Sequence, residues 1–212
     1  MSDVRRIDLR ASVFLDRMQP QFASFIATVA RGFLPVAGQA ALFVEIAPGI
    51  AINRMTDVAL KSTGVRPGMQ IVERAFGMLE VHSDSQADVR EAQDQMLAYI
   101  GAKEEDRLRP RVHTSEIITG VDDYQTMLIN RERHGSMLLG GESLYILEVE
   151  PAAYVVHATN EAEKAADVKL LEMRAFGAFG RLYLGGSEAQ IEQGAQAAIR
   201  AIEELHGREW EQ

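Results

Sequence analysis

Residues that could do chemistry are scattered along this 212-residue chain rather than grouped. None of its five histidines lies four residues from another, and the chain has no cysteine, so the usual ligand spacings of zinc sites are missing. The G-x-S-x-G pattern of a nucleophile elbow and the phosphate-binding P-loop are absent as well. We therefore predict a protein that is not an enzyme, with no catalytic residue, no metal site and no cofactor.

One polar pair stands out by its position. Glu73 and Arg74 are adjacent opposite charges that interrupt a strand-like run, and an apolar strand resumes after Gly77. A second stretch, EMRAFGAFGRLYL, repeats the pattern with the uncharged residues Phe176 and Gly177 at the matching positions. An arginine can hold a carboxylate through two hydrogen bonds, but an ion pair open to water contributes only about 0–1 kcal/mol. Such a pair suits a contact that forms and breaks.

Composition excludes several classes of protein. The net charge of −9 makes a nucleic-acid partner improbable, because polyanions are repelled. No apolar run approaches the roughly 18 residues of a membrane span, and the N-terminus lacks an apolar signal core. We expect a protein of the cytoplasm that has no membrane partner.

The chain contains an internal repeat. Shifted by 103 residues against itself, it gives 16 ungapped identities over residues 21–103, and EIAP falls on EVEP while RAFGML falls on GAFGRL. One constant offset predicts a tandem duplication. We place the boundary in the polar segment 101–110, which gives one domain over 1–105 and another over 106–212.

Each half predicts strands and helices that interleave with short connections. Period-2 and helical spacings indicate a compact α/β (α+β) unit in which helices flank one small sheet. The predicted elements are a strand near 12–15, a strand at 39–48 with its copy at 142–151, a helix at 52–63, paired strands within 69–82, and a helix at 85–100 with its copy at 187–205. We expect a frayed C-terminal tail around Trp210.

Several motifs resemble a known family. ALKSTGV (59–65) and AEKAADV (162–168) resemble the bacterial microcompartment (BMC) shell domain. The further combination of VFLD, ARGFLPVAGQAALFVEIAPGIAINR, VERAFG, LINRERHG and NEAEKAA is similar to tandem-domain, trimer-forming (BMC-T) shell proteins with circularly permuted domains. Within these, the chain is most similar to the subgroup with stacked trimers that includes the carboxysome member.

The resemblance implies a fold and a function. The fold would be two permuted BMC domains, each a ferredoxin-like relative with a small antiparallel sheet. The function would be that of a structural tile, a homotrimeric pseudohexamer in the shell of a microcompartment within the cytoplasm. Its partners would be other hexameric and pentameric shell proteins, and a second trimer stacked face to face. A central gated pore would pass small anionic metabolites.

The resemblance also assigns roles to particular residues. Glu73 and Arg74 would form the gate of the pore, and Phe176 and Gly177 would take the matching uncharged positions. Lys61 and Lys164, one in each repeat, would lie at the outer edge of the tile. Asn53 and Arg54 could either assist that edge or cap the start of their helix.

Two other classes of function remain open at this point. The duplicated domains could form a trimeric sensor that binds a small molecule between subunits, and it would then work as separate trimers. An enzyme with a site at the same interface would need paired acid and base groups, which the positions equivalent to Glu73 do not offer.

Overall fold

The computed structural model describes residues 7–210, which form two four-stranded antiparallel sheets. The elements of the first half are β1 (Asp8–Leu15), α1 (Pro20–Val29), β2 (Ala40–Ala47), α2 (Ile52–Ser62), β3 (Arg66–Glu73), β4 (Phe76–Ser83) and α3 (Gln86–Ile100). Those of the second half are β5 (Arg111–Ile118), α4 (Asp123–Glu132), β6 (Ser143–Glu150), α5 (Val155–Ala165), β7 (Lys169–Arg174), β8 (Gly180–Gly186) and α6 (Glu188–Glu203). Short 3-10 turns cover Gly49–Ala51, Glu104–Asp106 and Ala152–Tyr154.

The two sheets are built alike, which confirms the predicted class of fold. Their strand orders are β1-β2-β4-β3 and β5-β6-β8-β7. Ile46 lies opposite Gly77 in the first sheet and Val149 lies opposite Gly180 in the second, so equivalent pairs stand 103 residues apart.

The offset does not hold to the end of the repeat. The N-cap of α3 is Ser85 and that of α6 is Ser187, which is a difference of 102 residues. Each serine side chain accepts a hydrogen bond from the backbone N–H three residues on. A constant offset through the last helix was therefore wrong by one residue, because the turn before α6 is one residue shorter.

Helices cover both faces of the first sheet. Leu42, Val44 and Leu79 point toward α2 and α3, whereas Phe43 and Met78, one residue along each strand, face α1. This alternation is the period of two that a β-strand imposes on its side chains. The face under α1 is continuous with the apolar core of α5 and α6 in the second half, so one core spans both halves.

A carboxylate from the second half caps α1. The backbone N–H groups of Gln21 and Phe22 donate to the two carboxylate oxygens of Glu163 on α5, over 2.7 and 2.8 Å. Asn160, one turn earlier on α5, accepts from the backbone of Gln19 over 3.0 Å. A negative group is stabilising at a helix N-terminus, where the N–H groups lack partners within the helix. The contact therefore fixes the angle between the two halves.

A buried carboxylate of the first half, itself paired with Arg10, forms the second contact between the halves. Glu45 on β2 is 1% exposed and accepts from Arg10 Nε over 2.7 Å and from the backbone N–H of Ala153 over 2.9 Å. Burial raises the pKa of the Glu45 carboxyl, and the adjacent Arg10 guanidinium opposes that rise. Breaking such a pair by removing one partner is strongly destabilising, since the remaining charge is left buried.

The C-terminal tail is docked rather than frayed. Trp210 Nε1 donates to the carbonyl of Arg109 over 2.8 Å, and its ring lies under the guanidinium of Arg111 at 4.4 Å. Backbone hydrogen bonds also join Arg208 to Arg107 and Arg109. The expectation of a frayed end around Trp210 was wrong, because the polar tail finds backbone partners in the segment that links the halves.

We predict that Glu163→Ala lowers the free energy of unfolding by about 1–2 kcal/mol, because two N–H groups at the start of α1 lose their acceptor. Denaturant unfolding monitored by circular dichroism measures the change. Glu161→Ala on the same helix is the control. It removes a surface contact with Lys164 and should cost about 0.5 kcal/mol or less. Equal losses in the two variants would contradict the capping role.

Candidate functional site

The hairpin between β3 and β4 carries the predicted gate residues at its tip. Glu73 pairs with Phe76, which leaves Arg74 and Ala75 as the turn. Arg74 has φ of 52°, and it is the one non-glycine residue with positive φ among residues 7–210. The left-handed region costs an L-residue about 1–2 kcal/mol, so this turn is strained.

The hairpin between β7 and β8 has a longer tip, because its strand pairing ends at Arg174 and Arg181 and residues 175–179 connect the strands. Gly177 stands at the position of Arg74 and has φ of 100°, which glycine adopts readily. Phe176 stands at the position of Glu73, and the guanidinium of Arg174 lies over its ring at 4.7 Å. The structure thus places all four predicted pore residues at the tips of two equivalent hairpins.

Backbone packing anchors the base of each hairpin. The Gly49 N–H donates to the Ala75 carbonyl over 2.7 Å. A Cβ on Gly77 would lie 2.3 Å from the Gly49 oxygen, and one on Gly180 would lie 2.2 Å from the Ala152 oxygen. Both positions need glycine because the 3-10 turn before the helix presses on the strand. The base of each hairpin is thus packed tightly against that turn.

The two tips lie side by side. Glu73 Cγ is 3.8 Å from the point where a Cβ would stand on Gly177. Within residues 7–210, neither Glu73 nor Arg74 forms an ion pair with another residue of the chain. The two charged side chains are accordingly available to another molecule.

The residues of the first repeat that were predicted for the tile edge gather on the exposed face of α2. Asp57 receives Lys61 Nζ over 2.7 Å and Arg54 Nη1 at 3.6 Å, and the hydrogen bond from Lys61 lowers the pKa of the Asp57 carboxyl. Lys61 is 74% exposed and Arg54 is 64% exposed, so both cations can still reach a neighbour.

Lys164 and Asn53, the other residues predicted for the tile edge, make different contacts. Lys164 is 34% exposed and binds Glu161 over 2.6 Å and Asp16 at 3.6 Å, so it is less free than its counterpart Lys61. Asn53 does not occupy the N-cap of α2, which is Ala51. Its side chain donates to the Ile50 carbonyl and accepts from Gln70 on β3, each over 2.9 Å. It thus ties the start of α2 to β3, the strand that ends at Glu73.

Arg10, a buried charged group beside the first hairpin, was missed by sequence reasoning, and a second buried charged group, Glu80, lies further along the same sheet. The guanidinium of Arg10 lies over the ring of Phe76 at 3.7 Å, directly behind the gate turn. Glu80 on β4 is fully buried and accepts from the Gly68 N–H, while His82 Nδ1 lies 2.9 Å from its other oxygen. Burial raises the pKa of Glu80, and His82 opposes that rise. A charged residue inside an apolar strand, such as Arg10 in β1, was the available signal.

Two kinds of feature, a cluster of metal ligands and a membrane-spanning helix, are missing from the part of the chain that the structure describes. No group of three or more His, Asp or Glu side chains there is arranged to hold a metal ion. No helix in residues 7–210 is long and apolar enough to cross a membrane.

Comparison with known proteins gives consistent relatives. The family model of the CsoS1D N-terminal domain matches residues 9–106. The carboxysome shell protein CcmP of Synechococcus elongatus is 53% identical over 96% of this chain and 95% of its own. The carboxysome shell protein CsoS1D of Hydrogenovibrio crunogenus is 50% identical over 94% of this chain and 98% of its own.

Solved structures agree with these sequences. The fused permuted hexameric shell protein of the RMM microcompartment is 48% identical, with a TM-score of 0.92 over 95% of this chain and 99% of the other. The double-ringed trimeric shell protein of the same microcompartment is 40% identical, with a TM-score of 0.93 over 97% and 100%.

We predict that Arg74→Gly keeps or raises the free energy of unfolding, by up to about 1 kcal/mol, because glycine relieves the left-handed strain. Ala75→Gly, at the next residue, is the control and should lower it by about 0.5–1 kcal/mol through backbone entropy. Denaturant unfolding at one protein concentration compares them. If Arg74→Gly destabilises the protein as much as Ala75→Gly, the turn at Arg74 is not strained.

Proposed function

The chain belongs to the family of the carboxysome shell proteins CcmP and CsoS1D, and from this premise we propose that three copies close into a ring around a gated pore. Its role is that of a structural protein in the shell of a bacterial microcompartment. Each ring would contain six similar domains, and we place the domain boundary at residues 105 and 106. The observation that carries the proposal concerns the residues that join the two halves. Their equivalents, 103 residues away in the other half, lie exposed or only partly bonded and could make the same contacts with another copy of the chain.

The first such contact is the one between the Glu45 carboxylate and the Ala153 N–H. Glu45 on β2 receives the N–H of Ala153 across the junction of the halves. The offset of 103 residues makes Glu148 the counterpart of Glu45 and Ile50 the counterpart of Ala153. Glu148 accepts from Arg181 through one oxygen, and Ile50 is 69% exposed. A second copy, docked as the halves dock, would bring its Ile50 N–H to the Glu148 carboxylate.

The second such contact is the packing of α1, whose equivalent in the second half is the exposed apolar face of α4. On α1, Phe25 is 2% exposed in the core that joins the halves, whereas its counterpart Leu128 on α4 is 61% exposed. Tyr124 and Met127 on the same helix are 77% and 50% exposed. The partner of α1 is α5, whose counterpart is α2, and Leu60 stands there in place of Glu163. An apolar α4 face of one copy would therefore pack on α2 of the next, and repetition closes a ring.

We predict that Tyr124→Asp and Leu60→Asp each convert the trimer into monomers, because either places a charge in an apolar contact. Light scattering coupled to size exclusion gives the mass. Gln196→Asp, on the exposed face of α6 away from the junction, should leave the trimer intact. A wild-type monomer, or unchanged mass in both interface variants, would refute the ring.

The gate follows from the adjacency of the hairpins. Glu73 lies beside Gly177 in one chain. In the ring, the rotation that relates the first half to the second would also relate the second half to the first half of the next copy. It would place Phe176 beside Arg74 of that copy, so an aromatic ring would stand next to each guanidinium. Three Glu73 carboxylates and three Arg74 guanidiniums would alternate around the axis with three uncharged turns. Each contact is partly solvated, so open and closed forms would differ by only a few kcal/mol.

The permeant class follows from the charge at the constriction. An open gate would present three guanidiniums, while the molecule as a whole is acidic. A positive constriction favours small phosphorylated or carboxylated metabolites over cations.

Contacts of the ring with other molecules would use two other surfaces. The exposed cations Lys61 and Arg54 with the adjacent Asn53, and Lys164 at the equivalent position of the second half, would meet hexameric and pentameric shell proteins at the tile edge. Two apolar pairs recur in the loops before β2 and β6, Leu34 with Val36 and Met137 with Leu139, and all four are about half exposed or more. Rotation keeps both loops on one face of the ring, where they would pack a second, stacked trimer.

We predict that Glu73→Ala and Arg74→Ala both leave the trimer intact and shift the pore toward the open form, because each breaks the ionic contact. Cryo-electron microscopy of the rings, with particles classified by pore width, measures the open fraction. Asp94→Ala, on the exposed face of α3, is the control and should not change it. Failure of both gate variants to assemble would show that the pair is a structural bridge instead.

A further inference from the structure

A pair of titratable side chains is buried on β4 of the first half. Glu80 and His82 are 0% and 1% exposed, and His82 Nδ1 lies 2.9 Å from Glu80 Oε1. In the part of the chain that the structure describes, His82 is the one charged group that acts on the Glu80 carboxyl. Neither side chain belongs to the ring contacts or to the gate proposed above, so both are buried at a cost that those roles do not explain.

The second half has no carboxylate or imidazole at these positions. Tyr183 and Gly185 stand there, 103 residues further along the chain. A Cβ on Gly185 would lie 2.8 Å from Leu138 Cδ1 and 3.2 Å from Leu171 Cδ2, so buried leucine side chains fill the space above this strand. Since the backbone is the same in both halves, the fold does not require a titratable pair here.

The Glu80 carboxylate holds a backbone segment that in turn holds a loop. Its Oε2 accepts from the Gly68 N–H over 2.9 Å, at the point where the register between β3 and β4 is irregular. The carbonyls of Gly68 and Pro67 accept from the N–H groups of Gly32 and Phe33, each over 2.9 Å. Two successive hydrogen bonds therefore connect the carboxylate to the loop before β2.

This loop, at residues 31–36, lies over the carboxylate. A Cβ on Gly68 would lie 2.2 Å from Glu80 Oε2 and 3.0 Å from the Phe33 carbonyl oxygen, so these atoms meet at one place. Phe33 and Leu34 of the loop have exposed side chains. Opening of loop 31–36 would therefore admit water to Glu80 and would move an exposed apolar surface.

The charged groups around the pair are either exposed or bound elsewhere. The residues opposite the pair on β2 are apolar, and α1 contains no charged residue. Glu45, further along β2, is bound to Arg10. The exposed charged residues at the margin are Arg66 on β3, Arg31 at the start of the loop and Asp84 after β4. The protonation of the pair is therefore governed by its own two groups and by the backbone N–H groups that they hold.

Burial gives the pair a defined dependence on pH. The pair has no net charge while it shares one proton, and a net charge in a buried site is costly. Burial raises the pKa of the Glu80 carboxyl above its ordinary value of 4.5, and the hydrogen bond from His82 opposes that rise. A carboxyl whose pKa is raised stabilises the closed structure below its ordinary pKa and loses that contribution as pH rises through the raised value. The closed loop is thus favoured at the lower pH.

We propose that Glu80 and His82 form a pH switch for loop 31–36, which is held closed while the pair shares a proton and is released as pH rises. Loop 31–36 carries one of the two apolar pairs that would pack a stacked trimer, so its release would weaken stacking. The switch depends only on residues of one chain, whereas its effect on stacking rests on the proposed function.

Amide hydrogen exchange of the full chain, followed by mass spectrometry from about pH 6 to about pH 9 and corrected for intrinsic rates, tests the switch. Protection of Gly32 and Phe33 should fall about tenfold or more over this range, since tenfold corresponds to one unit of pKa difference between the closed and the open loop. Gly135 and Ser136 make the equivalent hydrogen bonds in the second half and are the internal control. Both loops lie on one face of the proposed ring, so stacking would protect them alike.

Two variants connect the effect to Glu80. Glu80→Gln keeps an acceptor for the Gly68 N–H but has no proton to lose, so protection of loop 31–36 should no longer depend on pH. Glu91→Gln removes an exposed carboxyl on α3 and should behave as the wild type does. Circular dichroism verifies that each variant is folded, and the comparison within the wild type decides the question even if Glu80→Gln does not fold.

The switch is overturned if wild-type protection of Gly32 and Phe33 follows that of Gly135 and Ser136 at every pH, or if a folded Glu80→Gln keeps the wild-type dependence. Light scattering on the same samples separates the switch from the stacking. Loss of the stacked mass together with loop protection supports both. Loss of protection in a protein that is never stacked supports the switch and contradicts stacking, whereas unchanged protection overturns the switch alone.

Discussion

The junction between the two halves is the constraint on which the rest of the structure depends. It combines an apolar core beneath α1 with the capping of α1 by Glu163 and the buried contact of Glu45 with Arg10 and the Ala153 N–H. Burial supplies most of the free energy, while the polar contacts fix the angle, because a buried carboxylate is tolerated only where its partners are aligned. That angle sets the two hairpin tips side by side.

A single fixed angle also explains why a ring is the natural assembly of this chain. The second half presents Glu148 and the apolar face of α4, and the first half presents Ile50 and Leu60. These are the surfaces that the halves would use if each met a further copy. Two similar units with one repeated junction close after a fixed number of steps, and in the proposed ring the hairpin tips would meet at the axis.

Duplication has preserved the backbone and changed the side chains where chemistry would be needed. Gly77 and Gly180 are glycine in both halves because a helix turn presses on each. The turn residue is Arg74 in one half and Gly177 in the other. The strained arginine is a local departure that the fold itself does not demand.

The sequence by itself determined the duplication, the α/β class, most strands and the two long helices, because the repeat and the apolar periods are properties of the chain alone. It also placed Glu73, Arg74, Phe176 and Gly177 in equivalent turns. It did not reveal α1 and α4, whose short patterns resemble loops until they pack. Only the tertiary structure decided the capping by Glu163, the burial of Arg10 beside Phe76 and the docking of Trp210, since each joins residues far apart in the chain.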